Sequence, residues 1–293
     1  MRVSSGHHSI NGSNRVSRGG EVVNTSLADV VGVILLAAFG LFVAAPALGD
    51  AGNQAPFTRV ILDAGHGGKD EGATASNGVL EKELVLDVSK RLGRILEAQN
   101  LMVIHTREED RFVPLEVRTS RANDARGDLF VSIHANAAES RTARGIETYF
   151  VSLEASDTDS RRVAERENEA LGSGGPASPE IDPFLALLGD MISTDHMAES
   201  NAFAKLAHAE LSDLVMSKDL GAARGVKQAP FVVLMGVQMP AALIEIGFLT
   251  NDQDASSLRR ADHREKIAQA LSRAVVAFGK RYDARRGLAS RSH

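Results

Sequence analysis

Two rhythms of apolar residues alternate along this chain from residue 59 onward. Residues 59–63 (RVILD) form a short apolar run that ends in a glycine-rich loop, AGHGGKDEG, the pattern of a buried strand and its exit turn. Over residues 81–99 the spacing changes to three and four, and Leu84, Val88, Leu92, Ile95 and Leu96 make one face of an amphipathic helix. The same reading predicts a strand at 101–106, a helix at 115–126, a strand at 128–133 running into His134-Ala135-Asn136, and a strand at 145–152. From 153 to 230 the pattern is mostly helical, interrupted by the glycine-rich patch GSGGPASPE at 172–180. Apolar runs at 231–235 and 241–246 predict two more strands. A long helix at 261–282, with Ile267, Leu271, Val275 and Phe278 on its apolar face, closes the chain.

Strands alternating with helices predict an α/β fold. The expectation is a single domain over 58–282. Its twisted, mostly parallel or mixed sheet has about six strands, with helices on both faces, a helical insertion at about 153–225 and a polar tail at 283–293. The start of the chain reads differently. Residues 1–29 are polar, with Arg2, Arg15 and Arg18; residues 30–48 are then almost unbroken apolar, ending in the small-residue pattern Ala45-Pro46-Ala47. That is the layout of a signal peptide over 1–49. Its rival is an uncleaved membrane anchor, because nineteen apolar residues just span a bilayer. Either way the rest, joined through a linker at 50–57, is expected to work outside the cytoplasm.

Composition narrows the chemistry. Of the 293 residues, 43 % are hydrophobic and 24 % charged, ordinary for a globular protein, and the net charge of −5 offers no basic face for nucleic acid. With no cysteine, a disulfide scaffold, a thiolate metal site and a cysteine nucleophile are all excluded. Any metal must therefore be held by imidazole and carboxylate, the usual ligands of a hydrolytic zinc site. His66 and His134 fall just past the carboxyl ends of predicted strands, where α/β sheets place their sites, and Glu245 sits near the end of another. Glu81 opens the first helix. Two histidines and a carboxylate suit a three-ligand metal set. Taken singly, they read equally well as a loop histidine, a packing residue and a helix-start charge favoured by the dipole. Glu245, inside ALIEIGF, would be desolvated and must be either functional or ion-paired. The loop AGHGGKDEG fits neither GxGxxG nor GxxxxGK[ST], and no GxSxG elbow occurs, which removes nucleotide binding and serine hydrolysis.

Seven blocks in order, ILDAGHGGKDEGA, LEKELVLDVSKRL, TREEDRFVPLEVRTSRAN, DLFVSIHANAA, GIETYF, RGVKQAPFVVL and PAALIEIGFLTN, resemble the zinc-dependent N-acetylmuramoyl-L-alanine amidases of bacterial cell walls from about residue 58 to 281. The resemblance implies one zinc ion held by His66, Glu81 and His134, with Glu245 as the catalytic carboxylate. It implies peptidoglycan as substrate, cut at the amide between the lactyl group of N-acetylmuramic acid and L-alanine. It also implies export to the periplasm, soluble or anchored by the N-terminal segment. The rival enzyme is a zinc peptidase cutting within the stem peptide. The helical insertion resembles that of the periplasmic cell-division amidases, in which an inserted helix blocks the zinc cleft until a protein activator displaces it. On a helical wheel of residues 160–171, Val163, Ala164, Ala170 and Leu171 form the apolar face with Glu167 in its middle, while Arg161, Arg162, Glu165 and Glu169 point away. Glu167 is therefore expected either to close the metal's open position or to pair with an arginine. The apolar stretch 183–192 (PFLALLGDMI) is either core or an activator-docking helix. Arg107 has no role that the sequence supplies, and His105, His196, His208 and His263 read as structural or surface residues.

Overall fold

Alternation along each strand decides which side chains line the site. The computed structural model describes residues 55–169, 194–216 and 222–288. The expected signal or anchor, residues 50–54 of the linker, Ala170, Leu171, the glycine patch, the apolar stretch 183–192 and residues 289–293 lie outside the described residues.

Six strands form one sheet: β1 (Arg59–Ala64), β2 (Met102–His105), β3 (Leu129–Asn136), β4 (Gly145–Val151), β5 (Ala222–Ala229) and β6 (Ala241–Phe248), in the order β2-β1-β3-β6-β4-β5. All neighbouring pairs run parallel except β4 and β6. The helices among the described residues are α1 (Glu81–Glu97), α2 (Leu115–Asp124), α3 (Thr158–Asn168), α4 (Thr194–Met216), the single turn α5 (Val232–Met235), α6 (Asp252–Arg259) and α7 (Ala261–Arg285). This is the mixed sheet with two covered faces that the sequence predicts.

Successive strand residues point to opposite faces, so each strand contributes to two cores. Val60, Leu62, Leu129, Val131, Ile133, Ala242, Ile244 and Ile246 pack under α1, α4 and α7, with Phe203, Leu211, Leu271 and Phe278 buried among them. Ile61, Phe130, Leu243 and Tyr149 face the other way, against α2, α3 and α5. Within the segment expected as an insertion, α4 buries Phe203, Ala204, Ala207 and Leu211 in the first core, on the route between the parallel strands β4 and β5. A parallel pair requires a crossover of this kind.

One strand falls elsewhere than expected. The apolar run 231–235 reads as a strand, but Val232–Met235 is a helical turn and the strand precedes it at Ala222–Ala229. Pro230 has no N–H to extend the ladder, and the Phe231 carbonyl accepts from the N–H of Leu234 and Met235. A short, wholly apolar run buries equally well as strand or helix, so periodicity does not separate the two. β5 escapes notice because it is an edge strand whose Arg224 and Lys227 reach back to a buried carboxylate.

Candidate metal centre

The second face of the sheet changes character along its length. On β1 Ile61 is followed by Asp63, on β3 Phe130 by Ser132, His134 and Asn136, and on β6 Leu243 by Glu245, all on one side by the period of two. Because β4 is antiparallel to β6, its early residue Glu147 pairs with Glu245 at the same end, and His134 pairs with Glu245 from the other neighbour. An apolar floor thus ends in a polar patch at the carboxyl ends of β1, β3 and β6.

Buried arginines hold the loop after β1. Arg107 donates to the carbonyls of Ala64, Gly65, Lys82 and Glu109. Arg118 donates to those of Ala64, His66 and Val113 and pairs with Asp63 at 2.9 Å. Their grip keeps His66 in the left-handed region at φ 56°, a conformation costing roughly 1–3 kcal/mol unless its surroundings impose it. Gly65 has to be glycine, because a Cβ there would lie 2.4 Å from the His134 ring. The Asp70 carboxylate accepts from His66 Nδ1 at 3.0 Å, which sets the tautomer and leaves the Nε2 lone pair facing inward. Glu81, first residue of α1, accepts from the N–H of Ala73 and Ala135, both at 2.8 Å.

The structure gathers His66, Glu81 and His134 around one point, together with Glu167 from α3. One ligand atom from each lies within 4.8 Å of all the others. Glu81 Oε1 is 3.1 Å from His66 Nε2 and 3.3 Å from His134 Nδ1; Glu167 Oε2 is 3.2 and 2.8 Å from the same two atoms. Yet His66 Nε2, His134 Nδ1 and Glu167 Oε2 are buried without a hydrogen bond of proper geometry. Short distances with poor hydrogen-bond angles are what lone pairs aimed at a common centre produce. Two imidazole nitrogens and two carboxylate oxygens suit a divalent cation of zinc's type.

Electrostatics say the same. Burial pulls the His66 imidazole down, but Glu81, Asp70 and Glu167 overcome it and hold it far above its usual value. Burial and Glu167 act in the same opposing senses on His134, which is raised to about 10. Burial raises Glu81, but the two histidines bring it to about 2. The carboxylates demand positive charge, and either imidazolium protons or a metal can supply it.

α3 starts at Asp157, whose carboxylate accepts from Ser160 N–H at 2.7 Å and lies 3.3 Å from Lys227 Nζ on β5. Val163 and Ala164 anchor it in the second core, and Glu167, 6 % exposed, continues that face inward. Glu167 makes the expected arginine pairing, Oε1 accepting from Arg166 Nε at 3.0 Å, while its Oε2 faces the two histidines. Glu245 is fully buried beside this cluster with neither oxygen hydrogen-bonded, and burial and the Glu167 charge push its carboxyl well above the usual range.

Asp70, Asn136, Glu147 and Arg166 belong to the site as well, and sequence reasoning did not single them out. Asn136 and Arg166 stood next to recognised residues, but only strand register and helix rotation show where they point. Arg107 is the pillar described above. His105 meets Ser89 Oγ at 3.1 Å, His208 accepts from the Gly225 N–H at 3.1 Å, and His263 is buried in α7; none of the three belongs to the cluster.

The carboxyl ends of a mixed α/β sheet thus carry a histidine–carboxylate cluster that could hold a metal ion, next to a buried glutamate that accepts no hydrogen bond. The profile of the N-acetylmuramoyl-L-alanine amidase family matches residues 60–277, and the chain belongs to that family. It is 34 % identical over 236 residues to the amidase AmiC of Escherichia coli O6:H1, a match covering 80 % of this chain and 55 % of the relative. It is 36 % identical over 221 residues to AmiC of Neisseria meningitidis serogroup B, covering 75 % and 52 %. The chain thus spans about half the length of these relatives. The crystal structure of an N-acetylmuramoyl-L-alanine amidase from Clostridium difficile 630 superposes with a TM-score of 0.58 at 26 % identity, covering 76 % of this chain and 97 % of that one.

Proposed function

We propose that this chain hydrolyses peptidoglycan at the amide between the lactyl group of N-acetylmuramic acid and the L-alanine of the stem peptide. In this reading His66, Glu81 and His134 hold one zinc ion and Glu245 moves the proton. The observation that carries it is the convergence of buried, unsatisfied ligand atoms next to a buried carboxylate that accepts no hydrogen bond. Zinc on these ligands supplies Lewis acidity for attack on an amide. Asp70 and the backbone N–H groups of Ala73 and Ala135 orient the ligand side chains, and Arg107 and Arg118 keep the loop carbonyls from turning inward. Glu245, whose burial makes its carboxylate a stronger base than usual, accepts the proton of the attacking water and delivers it to the departing nitrogen.

A catalytic zinc site keeps one position open, and Glu167 stands where a fourth ligand would. This supports a resting, autoinhibited state in which α3 is the plug. A protein activator docking on the helical insertion would release it, in an exported, periplasmic protein, soluble or held at the membrane by its N-terminal segment, that splits the septal wall during division. The test is digestion of purified sacculi by the full chain, with zinc and with chelator, followed by mass analysis. Zinc-dependent release of intact stem peptides with free L-alanine amines supports the amidase; cuts inside the stem would make it a zinc peptidase instead. Glu167→Lys should raise lysis in the absence of any activator, and unchanged basal lysis would remove the plug.

A further inference from the structure

Next to Glu167, Arg166 runs along the other side of the site. Its Nη1 donates to the Ala137 carbonyl at 2.6 Å and its Nη2 to Asn136 Oδ1 at 2.9 Å, and Nη2 lies 3.9 Å from Glu245 Oε1. With Glu167 at its Nε, every one of these partners is an acceptor. A guanidinium donates only, which is why it fits there.

Asn136 is oriented from behind. Its Nδ2 donates to Glu147 Oε2 at 2.8 Å. Burial raises the Glu147 carboxyl, but Arg224, Lys227 and Tyr149 outweigh it and hold the group below the usual carboxylate range. An ionised carboxylate can only accept, so Asn136 must turn its NH2 toward Glu147 and its Oδ1 toward the cleft. Glu245 supplies the third acceptor, fully buried and without a hydrogen-bond partner. Without Arg166 this corner would hold three acceptors and no donor.

We propose that Ala137 O, Asn136 Oδ1 and the Glu245 carboxylate form the subsite for the leaving amine, and that Arg166 fills it as a stand-in while α3 is docked. This rests on the amidase reading. An alkylammonium carries three N–H donors, matching three acceptors. In the hydrolysis, water oxygen bonds to the carbonyl carbon and the C–N bond breaks, its electron pair staying on nitrogen. One water proton reaches that nitrogen through Glu245. The proton of the new carboxylic acid follows, so amide plus water becomes carboxylate plus ammonium. The scissile bond therefore lies with its carbonyl toward the metal ligands and its nitrogen toward Asn136, and the ammonium of the product peptide stays bound in this corner.

The test is calorimetric binding to the zinc-loaded full chain carrying Arg166→Ala and Glu167→Ala, which vacates the corner. The probes are L-alanyl-D-glutamate and isobutyryl-D-glutamate, the latter with a methyl group in place of the ammonium. The free amine should bind on the order of tenfold more tightly, and adding Asn136→Ala should abolish that preference. Asn136→Ser, too short to reach the cleft, takes its place if the alanine variant does not fold. Equal binding of the two probes, or a preference untouched by the Asn136 change, would overturn the subsite. Digestion of sacculi by the Arg166→Ala/Glu167→Ala chain separates the two levels. Release of stem peptides without amine preference sinks the subsite and keeps the amidase; amine preference without release sinks the amidase and keeps an ammonium site.

Discussion

Under the proposed autoinhibition, replacing Glu167 by glutamine keeps the shape of the α3 contact and removes its charge. In the native arrangement Oε2 lies 2.8 Å from His134 Nδ1 and 3.2 Å from His66 Nε2, and Oε1 takes Arg166. Removing one partner from a buried charge cluster costs roughly 3–5 kcal/mol. The rest of the α3 grip survives. Arg166 still reaches Ala137 and Asn136, Val163 and Ala164 stay in the core, and Asn168 holds the Pro230 carbonyl and the Val232 N–H. Taking the lower bound, about 3 kcal/mol shifts the docked–undocked equilibrium by roughly a hundredfold, at about 1.4 kcal/mol per factor of ten. Release of soluble fragments from sacculi by full-length Glu167→Gln should rise toward that factor, until the undocked form dominates. Hydrogen exchange across Thr158–Asn168 should rise in parallel. Faster exchange with an unchanged rate would show that docking of α3 does not limit access. No change in either would mean that the carboxylate is not what holds the helix.

Three further perturbations bear on the same frame. Asp70→Asn frees the His66 tautomer and should weaken zinc binding by about 10–100-fold in competition with a chromophoric chelator, with unchanged affinity counting against the orienting role. Arg118→Met strands the buried Asp63 carboxylate and should lower stability by roughly 3 kcal/mol, about 6–12 °C in melting temperature for a domain of this size. Burial raises Asp63, but Arg118, Thr106 and Ser132 leave it lowered, so its contribution is complete above about pH 4 and is lost as pH falls through the depressed value. Calorimetry at pH 7 and at pH 3 should therefore show a large penalty for Arg118→Met at the first and a smaller one at the second. Gly65→Ala drives a Cβ into the His134 ring and should lose metal while the far-ultraviolet spectrum stays native; full zinc affinity would refute that close approach.

What the sequence discloses and what it withholds divide along a physical line. Chemistry-bearing residues that break a local rule are visible one at a time. Glu245 is a carboxylate in an apolar strand and Glu167 a carboxylate centred on an apolar helical stripe, and each stands out because burial without a partner is expensive. His66, Glu81 and His134 were legible through the blocks around them, and the structure brings all five residues into one neighbourhood. The strand β5 and the supports were not legible, because they obey local rules. Arg224 and Lys227 look like an ordinary polar edge until strand register places Glu147 within their reach. Arg107 and Arg118 look like surface charges of the TREED block and its helix, yet they are buried by donating to backbone carbonyls, a partnership that no side-chain pattern records. Asn136 follows His134 by two residues and so shares its face, an inference open to the sequence alone. Which end of its amide meets the cleft is not, because that depends on Glu147 arriving from an antiparallel strand. The histidine–carboxylate cluster is thus a property of individual positions. The acceptor corner beside it is a property of the antiparallel pair β4 and β6, and a substitution at Glu147 should accordingly disturb the orientation of Asn136 before it disturbs His66, Glu81 and His134.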